Sequence, residues 1–223
     1  MLRCAPVLGL LLGLLPGRSL ADQGLALVQL GERDDATAGW KVYATRDGVT
    51  LDERVVPGSS FREYRAIVEL AVDPLRAADE AWAVLREGDP DHLKHRQILR
   101  ESRSEMLIYD QIRAPVVYDR DYTIRIRRID DPARRRIEFR LETANTLGPP
   151  PAHNHVRIPE IRARWVLEPT PNGGTRLTNY AYSEPGGSVA AFLVRGAQAE
   201  RSLLGVLRMI RRLRRLATGG PAR

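Results

Sequence analysis

The clearest alternation of apolar and polar residues lies at positions 108–127, IYDQIRAPVVYDRDYTIRIR. A proline divides this stretch into two predicted strands. In the second strand, three apolar or aromatic residues fall on one side and three polar residues on the other: Tyr122, Ile124 and Ile126 against Thr123, Arg125 and Arg127. A strand of this kind covers a core or a cavity with one face and meets water with the other.

The same period of two recurs along most of the chain and predicts an antiparallel sheet. Further strands are predicted within residues 40–56 on both sides of an Asp47-Gly48 turn, and at 61–72, 97–101, 105–111, 136–143, 161–168 and 175–183. The Asp-Gly pair favours a tight hairpin because glycine tolerates the positive φ of a type I′ turn.

Two segments have helical periodicity instead. Asp73-Pro74 predicts an N-cap followed by a first-turn proline, and a helix to about residue 86 that buries Leu75, Ala78, Trp82 and Leu85. A longer helix is predicted over residues 189–216, with the apolar stripe Val189, Leu193, Ala197, Leu203, Val206, Leu207, Ile210 and Leu213. A curved sheet packed on this long helix defines an α+β architecture with room for a cavity between the two.

The first 21 residues predict a signal peptide. A positive start at Arg3 precedes an apolar run at residues 7–15, which is too short to span a bilayer, and small residues precede Asp22. We therefore expect export, to the periplasm or the extracellular medium, after cleavage near Ala21. Residues 22–39 are predicted as a lead-in helix, 40–216 as the domain and 217–223 as a disordered tail. Cys4 is the single cysteine, so the mature chain is expected to hold no disulfide.

Charge and candidate chemistry narrow the function. The formal net charge is +7, and cations cluster at the end of the last helix: Arg208, Arg211, Arg212, Arg214 and Arg215. Nucleic acid is disfavoured because no aromatic residues are interleaved with them. The alternatives are that these cations complement the dipole of the helix or dock transiently to an anionic membrane surface. His153 and His155 are interpreted as solvated loop histidines. No metal or cofactor site is predicted, and no G-x-S-x-G nucleophile motif is present.

The Arg120-Asp121-Tyr122 triplet resembles the RDY/RDF signature of the START family, the steroidogenic acute regulatory protein-related lipid transfer domains. Trp40 with Asp47-Gly48-Val49, Asp73-Pro74 and the segment 175–187, TRLTNYAYSEPGG, are similar to the family pattern in the same order. The resemblance implies a helix-grip fold, in which a curved antiparallel sheet wraps a long C-terminal helix around an internal hydrophobic cavity. It also implies that a monomer carries one lipid or sterol-like ligand without catalysis.

Strand parity and the resemblance together predict the ligand-contacting residues. They are Tyr109, Gln111, Tyr122, Ile124, Ile126, Phe139, Leu141, Trp165, Leu167, Tyr180 and Tyr182 on the sheet, with Leu193, Ala197, Leu203 and Leu207 on the helix. The alternative for each residue is simple core packing. Gln111 and Ile126 stand where some sterol-binding members carry an acid and a base, so no buried ion pair is expected there. Residues 110–119 and 147–159 are hypothetical gates.

A second class of function remains open at this point. Aromatases and cyclases share the superfold, and a pocket with tyrosine and arginine can move protons. Tyr109, Tyr122 and Arg120 are the candidates for that chemistry.

Overall fold

The computed structural model describes residues 39–114, 118–188 and 190–217, with side chains described outside 191–195 and 214–217. The predictions for the signal peptide, for residues 22–38 of the lead-in and for residues 218–223 of the tail lie outside the described residues. So do Val189 and the side chains of Leu193, Arg214 and Arg215.

The described part of the chain forms one sheet of ten strands. The strands are β1 Lys41–Arg46, β2 Val49–Val55, β3 Arg62–Leu70, β4 Leu93–Glu101, β5 Glu105–Ile112, β6 Asp119–Asp131, β7 Arg136–Thr143, β8 His155–Arg157, β9 Glu160–Pro169 and β10 Thr175–Glu184. Their order is β1-β2-β3-β10-β9-β7-β6-β5-β4, and all these neighbours are antiparallel. The short β8 pairs parallel with β6. The predicted strands are thus present.

The first hairpin forms as the Asp47-Gly48 pair predicts. Asp47 has φ 52° and Gly48 has φ 79°, so both turn residues are left-handed, and β1 and β2 pair on either side of them. A type I′ turn needs this conformation at both central positions.

The helix α1 spans Pro74–Glu87, and its N-cap is the predicted one, since the Asp73 carboxylate accepts a hydrogen bond from the Leu75 amide at 2.9 Å. The buried face is made of small residues, Ala77, Ala78, Ala81 and Val84, which allow close approach to the sheet. The prediction that Leu75 is buried was wrong, because at 3.6 residues per turn it lies on the opposite side of the helix and is 60% exposed.

The last helix, α2, spans Ala191–Ala217. It buries Ala199, Leu203, Val206, Leu207, Met209, Ile210 and Leu213 in the main core, together with α1 and the facing sides of β2, β3, β7, β9 and β10. Ala197 is exposed, contrary to the predicted stripe. Six residues separate it from Leu203, and at about 100° per residue that interval places the two on different sides of the helix.

A smaller cluster of Met106, Ile108, Ile124 and Ile126 extends this core beneath β5 and β6. Within the described residues, no helix is both long and apolar enough to cross a bilayer.

Candidate ligand-binding cavity

A cavity of about 280 Å³ lies between the sheet and the N-terminal half of α2. Its walls come from six long strands of the sheet, from the loop before β9 and from both helices: Arg62, Tyr64, Leu85, Ile112, Tyr122, Leu141, Ile158, Ile161, Ala163, Trp165, Asn179, Ala181, Tyr182, Ser183, Gln198, Arg201, Ser202 and Gly205. A second hollow, of about 400 Å³, lies at the other end of the sheet between the Asp47-Gly48 turn, residues 68–72, Arg76 and the end of α2. The first is the candidate site because four of the predicted ligand contacts line it, whereas none lines the second.

Strand alternation creates the apolar floor of the cavity. Ile161, Ala163 and Trp165 follow one another on a single face of β9, and small residues on α2 leave space above them. A Cβ atom added to Gly205 would lie 3.8 Å from Cζ2 of Trp165, which is ordinary van der Waals contact. The helix therefore passes over Trp165 with no side chain of its own at this point.

The Arg120-Asp121-Tyr122 triplet holds the end of the sheet beside the cavity. Arg120 is buried, and its guanidinium donates to the carbonyls of Tyr118, Pro185 (3.1 Å) and Gly186 (3.4 Å). These bonds fix the segment that leads from β10 into α2. Neither neighbouring aspartate forms an ion pair with Arg120: the Asp119 carboxylate accepts from Lys94 at 2.5 Å, and that of Asp121 accepts from Arg157 at 2.8 Å.

Asp121 ties the loop before β8 to the sheet. Its buried carboxylate accepts from both Nε (2.8 Å) and Nη2 (3.0 Å) of Arg157, from the Ala152 amide (2.7 Å) and from the Tyr109 hydroxyl (3.0 Å). Burial alone would raise the pKa of Asp121, but these hydrogen bonds outweigh it and lower the pKa. The segment 147–159, predicted as a gate, is therefore attached to β6 through this carboxylate.

Tyr122 is the member of the triplet that faces the cavity. Behind it, Asp110 is fully buried and pairs with Arg96, whose Nη2 lies 2.5 Å and Nε 2.7 Å from its carboxylate oxygens. Burial, and then the charge of Asp110, raise the pKa of Tyr122. A buried ion pair, Asp110 with Arg96, thus lies next to the cavity. The prediction considered only the positions of Gln111 and Ile126 and therefore missed it.

The structure brings four of the predicted ligand contacts into the cavity lining: Tyr122, Leu141, Trp165 and Tyr182. Six more are buried in the two core clusters: Ile124, Ile126, Phe139, Leu167, Leu203 and Leu207. The sheet residues of this group lie on the predicted face but further along their strands. Alternation identifies the face of a strand, whereas the position of the cavity along it depends on where α1 and α2 pack.

The remaining predicted residues lie elsewhere. The Tyr109 hydroxyl donates to Asp121 and accepts from Nε2 of Gln111 at 3.2 Å. Tyr109 and Gln111 therefore contact each other and do not line the cavity. The ring of Tyr180 packs against Arg164 at 4.5 Å, and that of Tyr182 against Arg162 at 4.5 Å. Both tyrosines alternate with the inward-facing residues of β10, so only part of Tyr182 borders the cavity. Ala197 is exposed.

Several lining residues were absent from the sequence prediction. Asn179, Ala181 and Ser183 follow from the parity of buried Leu177, which settles the face of β10. A glycine inside a long helix, Gly205, signals close approach of another group. Arg62, Gln198, Arg201 and Ser202 carried no recognisable signal in the sequence.

The arginines of α2 that were predicted to dock to membranes differ in their surroundings. Arg208 donates to the Gly88 carbonyl (2.8 Å) and to Asp89 (2.5 Å). Arg212 pairs with Glu80 (2.5 Å) and Glu87 (2.6 Å) of α1. These two cations therefore hold α2 against α1, a structural role that the prediction missed. Arg211 is exposed.

The histidines in the proline-rich loop do not assemble a site. His155 begins β8, and its ring Nδ1 lies 2.8 Å from the His153 carbonyl. Across the described residues, no group of three or more His, Cys, Asp or Glu side chains is arranged to hold a metal ion.

A curved antiparallel sheet that holds a C-terminal helix over an internal cavity defines the helix-grip class of fold. No family model matches the sequence. An uncharacterized protein of Pseudomonas aeruginosa is 26% identical over 177 residues, covering 76% of this chain and 84% of that protein. A StAR-related lipid transfer protein from Xanthomonas axonopodis superposes with TM-score 0.68 and 26% identity, covering 79% of this chain and 99% of that one. Human StAR-related lipid transfer protein 5 shares the fold at TM-score 0.66 and 17% identity, over 87% of this chain and 96% of its own. The chain therefore has the helix-grip fold of StAR-related lipid transfer domains, and the resemblance to START domains predicted from the triplet is confirmed.

Proposed function

We propose that this START domain binds one hydrophobic ligand without catalysis and transfers it between membranes. The observation that supports this function most directly is the cavity, whose floor is apolar and whose roof is α2. Burial of an apolar chain there is favourable by about 25 cal/mol per Å² of surface removed from water. The StAR-related lipid transfer protein of Xanthomonas axonopodis, which covers 79% of this chain, supports a lipid as that ligand.

Two features favour binding over the aromatase or cyclase alternative. The guanidinium of Arg120 is engaged by backbone carbonyls and does not line the cavity. Tyr122 does line it, but its raised pKa keeps the phenol protonated far above neutral pH. An acid or base catalyst works best with a pKa near the working pH, so this hydroxyl suits a hydrogen bond to a ligand better than proton transfer.

The test is native mass spectrometry of the chain purified without detergent, followed by extraction and identification of any bound molecule. We expect one hydrophobic molecule per chain, or its uptake from vesicles of mixed phospholipids. A protein that is empty and takes up nothing from those vesicles would refute the carrier function. The same spectrum reports the monomeric state that belongs to this proposal and, for protein recovered from the expressing cells, cleavage near Ala21.

Exchange at an anionic membrane surface is part of the proposal, and Arg211 is the described arginine that remains available for it. We expect Arg211→Glu to slow ligand transfer from anionic vesicles without changing equilibrium binding, because attraction to the surface is lost. Arg212→Glu is the contrasting variant, since it breaks the contacts with Glu80 and Glu87 and should lower stability instead. Equal transfer rates for the wild type and Arg211→Glu would exclude Arg211 as a docking residue.

A further inference from the structure

The charged side chains in the cavity lining are all positive. Arg62 and Arg201 line it, and of the described residues around it none is acidic. Neither arginine forms a salt bridge with any described carboxylate, and the hydrogen bond that Arg201 donates to the Arg113 carbonyl is long, 3.4 Å. Cations beside an apolar cavity are costly to desolvate unless an anion joins them.

Three nearby carboxylates are already engaged by other cations, and Glu184 accepts from the Tyr182 hydroxyl at 2.6 Å. Asp110 pairs with Arg96, Asp121 with Arg157, and Asp119 with Lys94. These three carboxylates are therefore not available to neutralise Arg62 or Arg201. The positive charge of Arg201 also acts on Arg120, because the pKa of Arg120 is lowered first by burial and then by that charge.

Gln198 adds an unused acceptor to the same wall. Its Nε2 lies 2.7 Å from the Ser183 carbonyl, which can only accept, so the orientation of the amide is fixed. Its Oε1 is then buried without a hydrogen-bond partner among the described residues. A buried acceptor of this kind is satisfied when a bound group donates to it.

We propose that the ligand is a single-chain amphiphile with an anionic head, a carboxylate or a phosphate, bound by Arg201 and Arg62. Its tail lies on the floor formed by Ile161, Ala163 and Trp165. A phosphate head in its monoanionic form keeps one O–H group, which can donate a hydrogen bond to Oε1 of Gln198. The volume of about 280 Å³ corresponds to about nine water-sized groups, which matches one medium-length chain. This inference rests on the proposed carrier function and specifies the chemistry of its ligand.

The experiment compares ligands that share a tail and differ in the head. Decanoate, decyl phosphate and 1-decanol are titrated at pH 7.4 into the wild-type chain by isothermal calorimetry, each below its micelle concentration. We expect the better of the two anions to bind about tenfold to a hundredfold more tightly than the alcohol, as for hydrogen bonds to a charged partner. The ranking of the two anions distinguishes a carboxylate head from a phosphate head.

Variants then assign the effect to named residues. Arg201→Gln and Arg62→Gln should each weaken binding of the preferred anion by about tenfold and leave 1-decanol unchanged. Arg211→Gln, an exposed arginine on the same helix, is the matched control and should bind both as the wild type does. Circular dichroism melting curves identify any variant that fails to fold, and two independent arginines keep the test decisive.

The outcomes separate this inference from the carrier function. If all three probes bind with equal affinity, and neither arginine variant changes this, the anionic head is refuted while the hydrophobic cavity stands. If none of the three binds, the single-chain anionic amphiphile is refuted, and uptake from vesicles decides the carrier function separately.

Discussion

Gly205 offers a direct way to close the cavity without disturbing the sheet. It lies on α2 above Trp165, and a Cβ atom placed there meets Cζ2 of that ring at 3.8 Å, so the first added carbon fits without a clash. Gly205→Leu would extend three further carbons into the cavity. Four added carbons, each about the 30 Å³ of a water molecule, fill about 120 Å³ of the 280 Å³ present.

The expected loss of affinity follows from the ligand groups that the new side chain displaces. Each buried methylene contributes about 0.8 kcal/mol, so Gly205→Ala should weaken binding about fourfold. Gly205→Leu displaces about four such groups, about 3 kcal/mol, and should weaken binding about two-hundredfold. Folding should not suffer, because leucine and alanine are better helix formers than glycine by about 0.8 kcal/mol.

The assay is calorimetric titration of decanoate and 1-decanol at constant temperature, with melting curves recorded for each variant. Gly196 provides the matched control, since it belongs to the same helix and a Cβ atom there has nothing within 4 Å. Gly196→Leu should gain the same helix propensity and bind as the wild type does. If Gly205→Leu is folded and binds both probes with unchanged affinity, the cavity beneath α2 is not where the ligand lies.

Three further changes test the structure around the site. Arg96→Met leaves the buried Asp110 carboxylate unpaired and should lower the free energy of unfolding in urea by about 3–5 kcal/mol; a loss below about 1 kcal/mol would contradict a buried ion pair. Gly148→Ala would place a Cβ atom 2.8 Å from the Thr123 Cβ atom, a clash that rotation of the threonine side chain cannot relieve. We expect the free energy of unfolding to fall by about 1–3 kcal/mol, and unchanged stability would show that the loop moves freely. Because the folded-state pKa of Asp121 is lowered, its stabilisation is present above about pH 4 and is lost as the pH falls through that pKa; Asp121→Asn should flatten the acid limb of stability against pH, and an unaltered limb would refute this role.

Sequence patterns predicted the architecture because most of it depends on local alternation. The Asp47-Gly48 turn, the cap at Asp73 and the faces of the strands follow from backbone geometry and side-chain period, which neighbouring residues determine. The triplet at Arg120 added the resemblance to START domains. None of these signals depends on knowing which elements later pack together.

The limits of the sequence prediction have the same physical origin. Leu203 of α2 and Phe139 of β7 lie on the expected faces, yet both belong to the main core. Phe139 is covered by α1, since the ring of Trp82 lies 5.7 Å from its own. Leu203→Arg would therefore test folding rather than ligand retention. Arg201 and Arg212 belong to the same helix; one lines the cavity and the other pairs with α1, and the difference depends on tertiary neighbours alone.

The register of the sheet also determines when the cavity can exist. The strand β3 pairs with β10, and the Thr175 hydroxyl donates to the Val72 carbonyl across 103 positions of sequence. A nascent chain can form the early hairpin and the later meander as separate local units, but closing so long a loop must wait for the last strand. The floor and the roof of the cavity are consequently assembled after nearly the whole domain has been synthesised. A ligand can therefore be captured only by a finished chain, and a ribosome-bound fragment that ends before β10 should fail to bind one.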